Sequence, residues 1–380
     1  MERERLLLLL IVTLLIGVGL IMILNSGVYQ RVLGEGAQGD FFLKHQLMWV
    51  GISVVALVVV ANIRYEILMR LSPLLVLGCL GLLVLVFMPG IGVTKNYARR
   101  WIGLGGFPFQ PAEVAKYGLI VYFAGALASR QRRIGRLSTY VELVAVLAPF
   151  LLLIIVQPDL STTLLIAATV GVMFFCGGVP LRYLGGTVLL GLPALAFTIL
   201  RSSYQLNRIK AVLDPVSHRY DAGYQQYQAL IALGSGGPFG VGLAASHQKL
   251  GFLTYAHNDF IAAIIGEEFG FIGLCALLLL YIVLVVLGFR IAFRARDLRG
   301  TLLAVGVTSL IGLQAIIHFG VVSSSLPATG LNLPFISFGG SNLLMNFVGL
   351  GILLNVSRAT ERVPRHQHGV RIRKHGLARA

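Results

Sequence analysis

The chain has 380 residues, 57% of them hydrophobic and only 12% charged, with 31 Lys and Arg against 15 Asp and Glu. Soluble domains carry roughly 25% charged residues, so this chain cannot cover a water-facing surface, and a soluble enzyme, a soluble DNA-binding domain and a disordered chain are excluded together. The fold class that remains is an all-α, polytopic membrane protein, because the apolar residues come in long unbroken runs and not in the short alternating segments of a membrane barrel.

In chain order, the charged start from Met1 to Arg5 leads into an apolar run from Leu6 to Leu24. That run is long for a signal-peptide core and no small-x-small cleavage site follows it, so it reads as a retained first span. Further runs at about 46–61, 73–88, 111–128, 139–156, 159–177, 183–200, 260–289, 301–322 and 341–356 bring the expected number of spans to ten. At ~20 apolar residues per crossing, a chain this hydrophobic supports about that number. An even number returns both termini to one side. Alternate connections hold Arg3 and Arg5, then Arg64 and Arg70, then Arg130, Arg132, Arg133 and Arg136, then Arg290, Arg294, Arg296 and Arg299, and finally the basic tail from Arg358 to Arg379. This asymmetry makes those connections and both termini cytoplasmic. The net charge of +16 is then a matter of topology and lipid headgroups, not of nucleic acid. Cys79, Cys176 and Cys275 lie inside apolar runs without metal-ligand spacing, and read as small hydrophobes.

The connections on the other side are uneven. Residues 89–110 are Gly-rich with aromatics, and residues 201–259 form an outer loop far longer than any other. Loops longer than about 15 residues are usually functional or disordered; this one is rich in Tyr, Gln, Leu and Ile, so it is expected to fold onto the extracytoplasmic membrane surface and to carry the chemistry. No internal repeat and no separate soluble domain is apparent. The division expected is a membrane domain over 1–356 and a basic, disordered tail over 357–380.

Ionisable residues at the edges of spans mark candidate sites, because they are costly there. In Gln110-Pro111-Ala112-Glu113-Val114-Ala115-Lys116, Pro111 suits the first helical position. Glu113 and Lys116 share a face and can pair, as a structural ion pair or as substrate contacts. Upstream, Lys95, Arg99, Arg100 and Trp101 are either headgroup anchors or a phosphate clamp. Asp159, in Gln157-Pro158-Asp159, reads as an N-cap of the following helix. Asp259 follows His257 and Asn258 where the long loop enters the eighth span, either as a cap or as a functional carboxylate. Glu267 and Glu268 lie deeper in that span and require basic or hydroxyl partners. Leu326 to Asn342 holds two prolines and Gly339-Gly340, with Ser337 and Ser341, in an irregular outer segment; its glycines suit close helix packing or an anion.

Seven ordered strings then carry a resemblance: GVTKNYARRWIGLG, FQPAEVAK, QPDLST, RIKAVLDP, GYQQYQALIALGSGGPFGVGL, AHNDFIAAIIGEEFG and LPATGLNLPFISFGGSN. Together they resemble the SEDS family (shape, elongation, division, sporulation), from the first span to Asn355. The ARRW block and the LPFISFGGS ending are more similar to its division members than to its elongation members. The resemblance implies a ten-span peptidoglycan glycosyltransferase that polymerises lipid II at the outer face of the bacterial cytoplasmic membrane. It implies Asp259 as the catalytic residue and Arg99, Arg100, Glu113, Lys116, Arg208, Lys249 and His257 as substrate-binding residues. Asp159, Glu267, Ser337 and Ser341 are supporting. No metal ligands and no certain cofactor are implied, a divalent cation being a candidate. There are departures: Ala112 replaces the usual Ser, Thr254, Tyr255 and Asn258 stand at the family's Pro, Glu and Thr positions before Asp259, and His318 stands where Asn is common.

The chemistry agrees with that assignment. Glycan extension needs one general base for the acceptor hydroxyl, and cations for a pyrophosphate leaving group, unlike the paired carboxylates of a glycoside hydrolase. The expected partners are lipid II, a class B penicillin-binding protein docking on Leu274–Val286 and Leu302–Ile317, other division proteins and membrane lipids, with no nucleic acid. Two rivals stand beside the polymerase: a flippase for the lipid-linked precursor, against which the lack of a repeat weighs, and a noncatalytic scaffold, which would tolerate Asp259→Asn.

Overall fold

The computed structural model describes residues 1–32, 36–95, 98–104, 107–254 and 256–361. Ten long helices occupy the ten apolar runs: α1 (Glu2–Val32), α2 (Gly36–Asn62), α3 (Tyr65–Leu85), α4 (Pro111–Ser129), α5 (Leu137–Val156), α6 (Leu160–Cys176), α7 (Leu181–Arg201), α10 (Ile261–Phe293), α11 (Leu298–Val322) and α12 (Gly340–Glu361). Eight of these are long and apolar enough to cross a membrane. The other two are α6, which is shorter, and α4, which is enclosed by its neighbours and carries Glu113 and Lys116. Of the tail expected to be disordered from 357, residues 357–361 instead continue α12, with Ser357 fully buried against the bundle, and the residues beyond Glu361 lie outside the described ones.

The helix ends depart from the runs for identifiable reasons. The third run was read from Pro73, yet α3 starts at Tyr65 and passes through that proline. Pro73 has no N–H for the carbonyl of Met69, and the Ser72 hydroxyl donates to that carbonyl at 2.7 Å instead. The Gly-rich 89–110 segment is not irregular. It forms an antiparallel three-stranded meander, β1 (Gly92–Lys95), β2 (Ala98–Leu104) and β3 (Phe107–Phe109), which adds a small sheet to the otherwise helical fold. Val93 pairs with Trp101 and Ile102 with Phe109, so the sheet's alternation sets Arg99 and Arg100 on opposite faces.

The long 201–259 loop is also structured. It contains α8 (Ser203–Leu213), capped by the Ser202 hydroxyl, and α9 (Tyr224–Gly236), which packs on α10 through the buried Ala229, Ala232 and Gly236. The apolar run of α10 hides a break. Gly270 has φ 68°, which leaves two carbonyls and two amides without helical partners. The 237–242 segment supplies them. Val241 and Gly242 donate to the carbonyls of Glu267 and Glu268 at 3.0 and 3.1 Å, and Phe271 and Ile272 donate to those of Gly237 and Pro238 at 2.8 and 3.2 Å. A Cβ on Gly270 would stand 2.6 Å from the Pro238 oxygen, in a backbone region that side chains rarely adopt. Gly270→Ala is therefore expected to lower stability by about 2–3 kcal/mol or more. Thermal unfolding of the purified protein in detergent checks this; an unchanged midpoint would refute the clamp.

The centre of the bundle is α11, buried along nearly its whole length against α10, α4, α6 and α12. Of the face expected to receive a partner there, Leu302–Ile317, only Ile316 stands well exposed; open apolar residues lie instead on α10, at Leu278, Leu279, Ile282 and Val286. α7 has no buried residue and stands at the periphery.

Candidate active site

Gln110 caps α4 with Pro111 at its start, and the Gln110 N–H donates to the Ser341 hydroxyl at 3.1 Å. This brings the β3–α4 corner against the start of α12. The middle of α2 closes on the same point, where the Trp49 indole lies over Gly340 so tightly that any Cβ there would collide with the ring. The α5–α6 turn, α8 and the end of the 237–260 segment complete the walls. The result is a cavity of about 260 Å³ lined by His45, Trp49, Arg100, Gln110, Asp159, Tyr204, Gln205, Arg208, Asn258, Asp259, Asn332, Ser341 and Asn342 among others.

Asp259 is half-buried on this wall. It does not cap α10, whose cap position is Phe260. Asp159 does act as a cap: its side chain accepts the Thr162 N–H at 3.1 Å. Asp159 also faces Arg100 at 3.7 Å. The Arg100 guanidinium reaches across from β2 to the α5–α6 turn, donating to the carbonyls of Gln157, at 3.1 Å, and Pro158. Arg208 stacks over the Tyr204 ring at 4.4 Å and donates to the Ala328 carbonyl at 2.7 Å. Burial pulls its pKa below the ordinary guanidinium value, and the Asp259 carboxylate counters that pull while Arg100 adds to it, so the three charges share one field. A guanidinium remains charged throughout.

Behind the wall lies a closed polar network. Glu113 and Lys116 pair at 2.8 Å with side chains 7% and 1% exposed. Glu113 accepts from Asn342 at 3.0 Å. Lys116 donates to Gln314 at 3.3 Å, and Gln314 donates to the Asn332 carbonyl at 2.7 Å. Asn332 and Asn342 both reach the cavity, so the buried ion pair holds two of its walls. Ser337 donates to the Asn258 carbonyl at 2.7 Å and accepts the Leu333 N–H at 2.9 Å, which fixes the residue before Asp259. The His257 ring packs between Phe42 and Phe338, and its carbonyl accepts the Phe338 N–H.

Not all of the expected site residues meet here. Arg99 is exposed on the other face of β2 and donates to the Thr94 hydroxyl at 3.1 Å. The Lys95 side chain lies outside the described residues. Lys249 is committed elsewhere: its ammonium pairs with Glu268 at 2.7 Å, both side chains being enclosed. Glu267 accepts from the Ser246 hydroxyl and from the His247 and Gln248 N–H groups at 2.5, 2.9 and 3.3 Å. The two glutamates thus have the hydroxyl and basic partners expected, and they clip the 244–250 segment to α10. Tyr204, Asn332, Asn342, Trp49 and His45 were not singled out by sequence. Asn342 carried a signal, being an amide within an apolar run, but Asn332 and Tyr204 did not. Among the described residues no group of three or more His, Cys, Asp or Glu is placed to hold a metal ion. With Asp159 occupied by Thr162 and Arg100, this donor set does not fit a divalent cation held by protein ligands alone.

The chain matches the FtsW/RodA/SpoVE model, described as cell cycle protein, over residues 5–362. It is 40% identical to a probable peptidoglycan glycosyltransferase FtsW of Geobacter sp. (strain M18), over 84% of this chain and 87% of that protein. Stage V sporulation protein E of Bacillus subtilis (strain 168) is also 40% identical, over 93% and 96% of the two chains. A chain in a peptidoglycan synthase complex, described for its coordination of polymerization and crosslinking, superposes with a TM-score of 0.75 at 29% identity, covering 94% of this chain and 98% of that one. With this cavity, this bundle and these matches along its whole described length, the chain belongs to the FtsW/RodA/SpoVE family of cell cycle proteins.

Proposed function

We propose that this chain is a peptidoglycan glycosyltransferase that polymerises lipid II into β-1,4 glycan strands for septal wall synthesis. The observation that carries the reading is the meeting of Asp259 with two guanidiniums, Arg100 and Arg208, in a single cavity whose other carboxylate, Asp159, is committed to capping α6. In the reaction, the 4-hydroxyl of the acceptor sugar attacks C1 of the donor. The bond from C1 to the pyrophosphate oxygen breaks, and the electron pair leaves with the polyprenyl pyrophosphate. Asp259 takes the hydroxyl proton. Arg208 and Arg100 face the negative charge that develops on the leaving group, where the enclosed site strengthens their effect. A second acid is not required, because pyrophosphate leaves without protonation.

Orientation follows from charge. The cavity is built on the N-terminal half of α2 and the starts of α10 and α12, while Arg64, Arg296 and Arg358 lie by their other ends. The arginine-rich end is cytoplasmic by the positive-inside asymmetry, which sets the cavity on the outer face of the bacterial cytoplasmic membrane. A class B penicillin-binding protein is the proposed partner, docking on the open apolar face of α10.

The test is glycan-chain formation from labelled lipid II by the purified protein together with that partner. Polymer is expected, and Arg208→Gln is expected to reduce its rate about 10²-fold, the order found when one donor to a developing charge is removed. Lipid II crossing vesicles without any polymer, beside an active control enzyme, would replace the polymerase with the flippase.

A further inference from the structure

At the far end of α2, α10 and α12 from Asp259 lies a second cavity, of about 270 Å³, whose walls include Arg64, Glu66, Arg296, Asn355 and Arg358. Three helix ends are tied together there. Asn355 donates to the carbonyls of Val60 and Ala61 at 3.2 and 3.1 Å, closing the end of α2 onto α12. Arg358 donates to the Asn62 side chain at 3.0 Å. The Tyr65 hydroxyl donates at 3.0 Å to Asp297, which caps α11 by accepting the Gly300 N–H at 2.8 Å. Asp297 is thus occupied behind the wall. Of the lining charges, three are guanidiniums and one is a carboxylate, Glu66, which lies 3.5 Å from Arg64. The cavity therefore holds excess positive charge in a frame fixed by hydrogen bonds, and guanidinium forks match phosphate oxygens.

We propose that this cavity binds a phosphate group, and that its source is the headgroup of an anionic phospholipid of the inner leaflet. The lipid is favoured over a soluble phosphate because the cavity opens between the ends of membrane-spanning helices, at the depth where headgroups are concentrated. Basic pockets between helices on the cytoplasmic side suit such headgroups. The sequence adds Arg362, Arg365, Arg371, Arg373, Lys374 and Arg379 directly after α12, all attracted to the same anionic surface. Bound there, a headgroup bridges Arg64 at the start of α3, Arg296 before α11 and Arg358 on α12, and so stabilises the junction. The choice of leaflet rests on the orientation proposed above; the phosphate site itself does not.

The experiment uses the full chain purified in detergent, with phosphatidylglycerol, phosphatidylcholine or inorganic phosphate added. Retained lipid is read by native mass spectrometry and the thermal midpoint in parallel. Phosphatidylglycerol is expected to be retained and to raise the midpoint, and phosphatidylcholine to do neither. The double variant Arg64→Gln/Arg296→Gln is expected to weaken retention roughly tenfold or more. Arg132→Gln/Arg133→Gln, which removes equal charge from an exposed turn on the same side, is expected to change it little. Arg296→Lys, keeping a point charge, separates lost binding from lost folding by restoring part of the retention. Inorganic phosphate that raises the midpoint and displaces the lipid would uphold the phosphate site and reassign its source. Equal effects of the two double variants, or retention unchanged in both, would overturn it. Because detergent exposes both ends of the protein, a wrong orientation leaves these results unaltered; it would show instead as labelling of Gln131→Cys by an impermeant thiol reagent in intact cells.

Discussion

Asp259→Asn is expected to abolish glycan synthesis from labelled lipid II, by about 10²–10⁴-fold, the contribution typical of a general base. The substitution keeps the size of the side chain and one acceptor oxygen, and removes the negative charge and with it the capacity to take a proton. It should leave the fold intact, since Asp259 stands on the cavity wall ahead of the cap position of α10 and bears no capping duty. Binding of lipid II should survive as well, because Arg100 and Arg208 remain. Loss of rate with retained substrate binding and an unchanged thermal midpoint would identify the chemical step. Polymer formed at the native rate would move the base elsewhere. The alternatives are poor ones: Asp159 caps α6 and faces Arg100, and Glu113 is enclosed between Lys116 and Asn342. The scaffold and flippase readings predict no polymer even from the native chain, so the native rate measured beside the variant separates them from a displaced base.

How far the sequence revealed this arrangement depended on the kind of signal. Helices came through because hydropathy reports them directly, and Pro111 and Asp159 came through because cap chemistry is local. What failed was anything set by a distant contact. Pro73 read as a boundary until Ser72 was seen satisfying the Met69 carbonyl. The break at Gly270 was invisible inside an apolar run, since hydropathy does not register a positive φ. The strands at 92–109 are too short and Gly-rich to show alternation. Charge gave the same lesson. Arg99 and Arg100 are adjacent in sequence, yet strand alternation sends only Arg100 to the cavity. Lys249, which the resemblance implies as a substrate contact, is held by Glu268, 19 residues away on another element, a pairing that no local pattern displays.

The second large effect should come from the ion pair behind the cavity. Removing one partner of a buried pair leaves the other charge uncompensated and costs about 3–5 kcal/mol. Lys116→Met and Glu113→Gln should each destabilise the protein on that scale, because both side chains are enclosed and only 2.8 Å apart. The double variant Glu113→Gln/Lys116→Met removes both charges and should recover most of the loss, giving a strong coupling in the mutant cycle. Activity should not simply follow stability. Gln at 113 can still accept from Asn342, so the cavity wall keeps one anchor, whereas Glu113→Leu/Lys116→Met leaves the Asn342 amide without that acceptor. We therefore expect the Gln/Met protein to retain more glycan synthesis than the Leu/Met protein at similar thermal stability, with the difference confined to kcat. If the two double variants were equally active and equally stable, the pair would be a packing feature alone. If instead Lys116→Met abolished lipid II binding while the midpoint stayed in place, Lys116 would have to leave Glu113 and reach the substrate itself, and the closed network would be a resting arrangement.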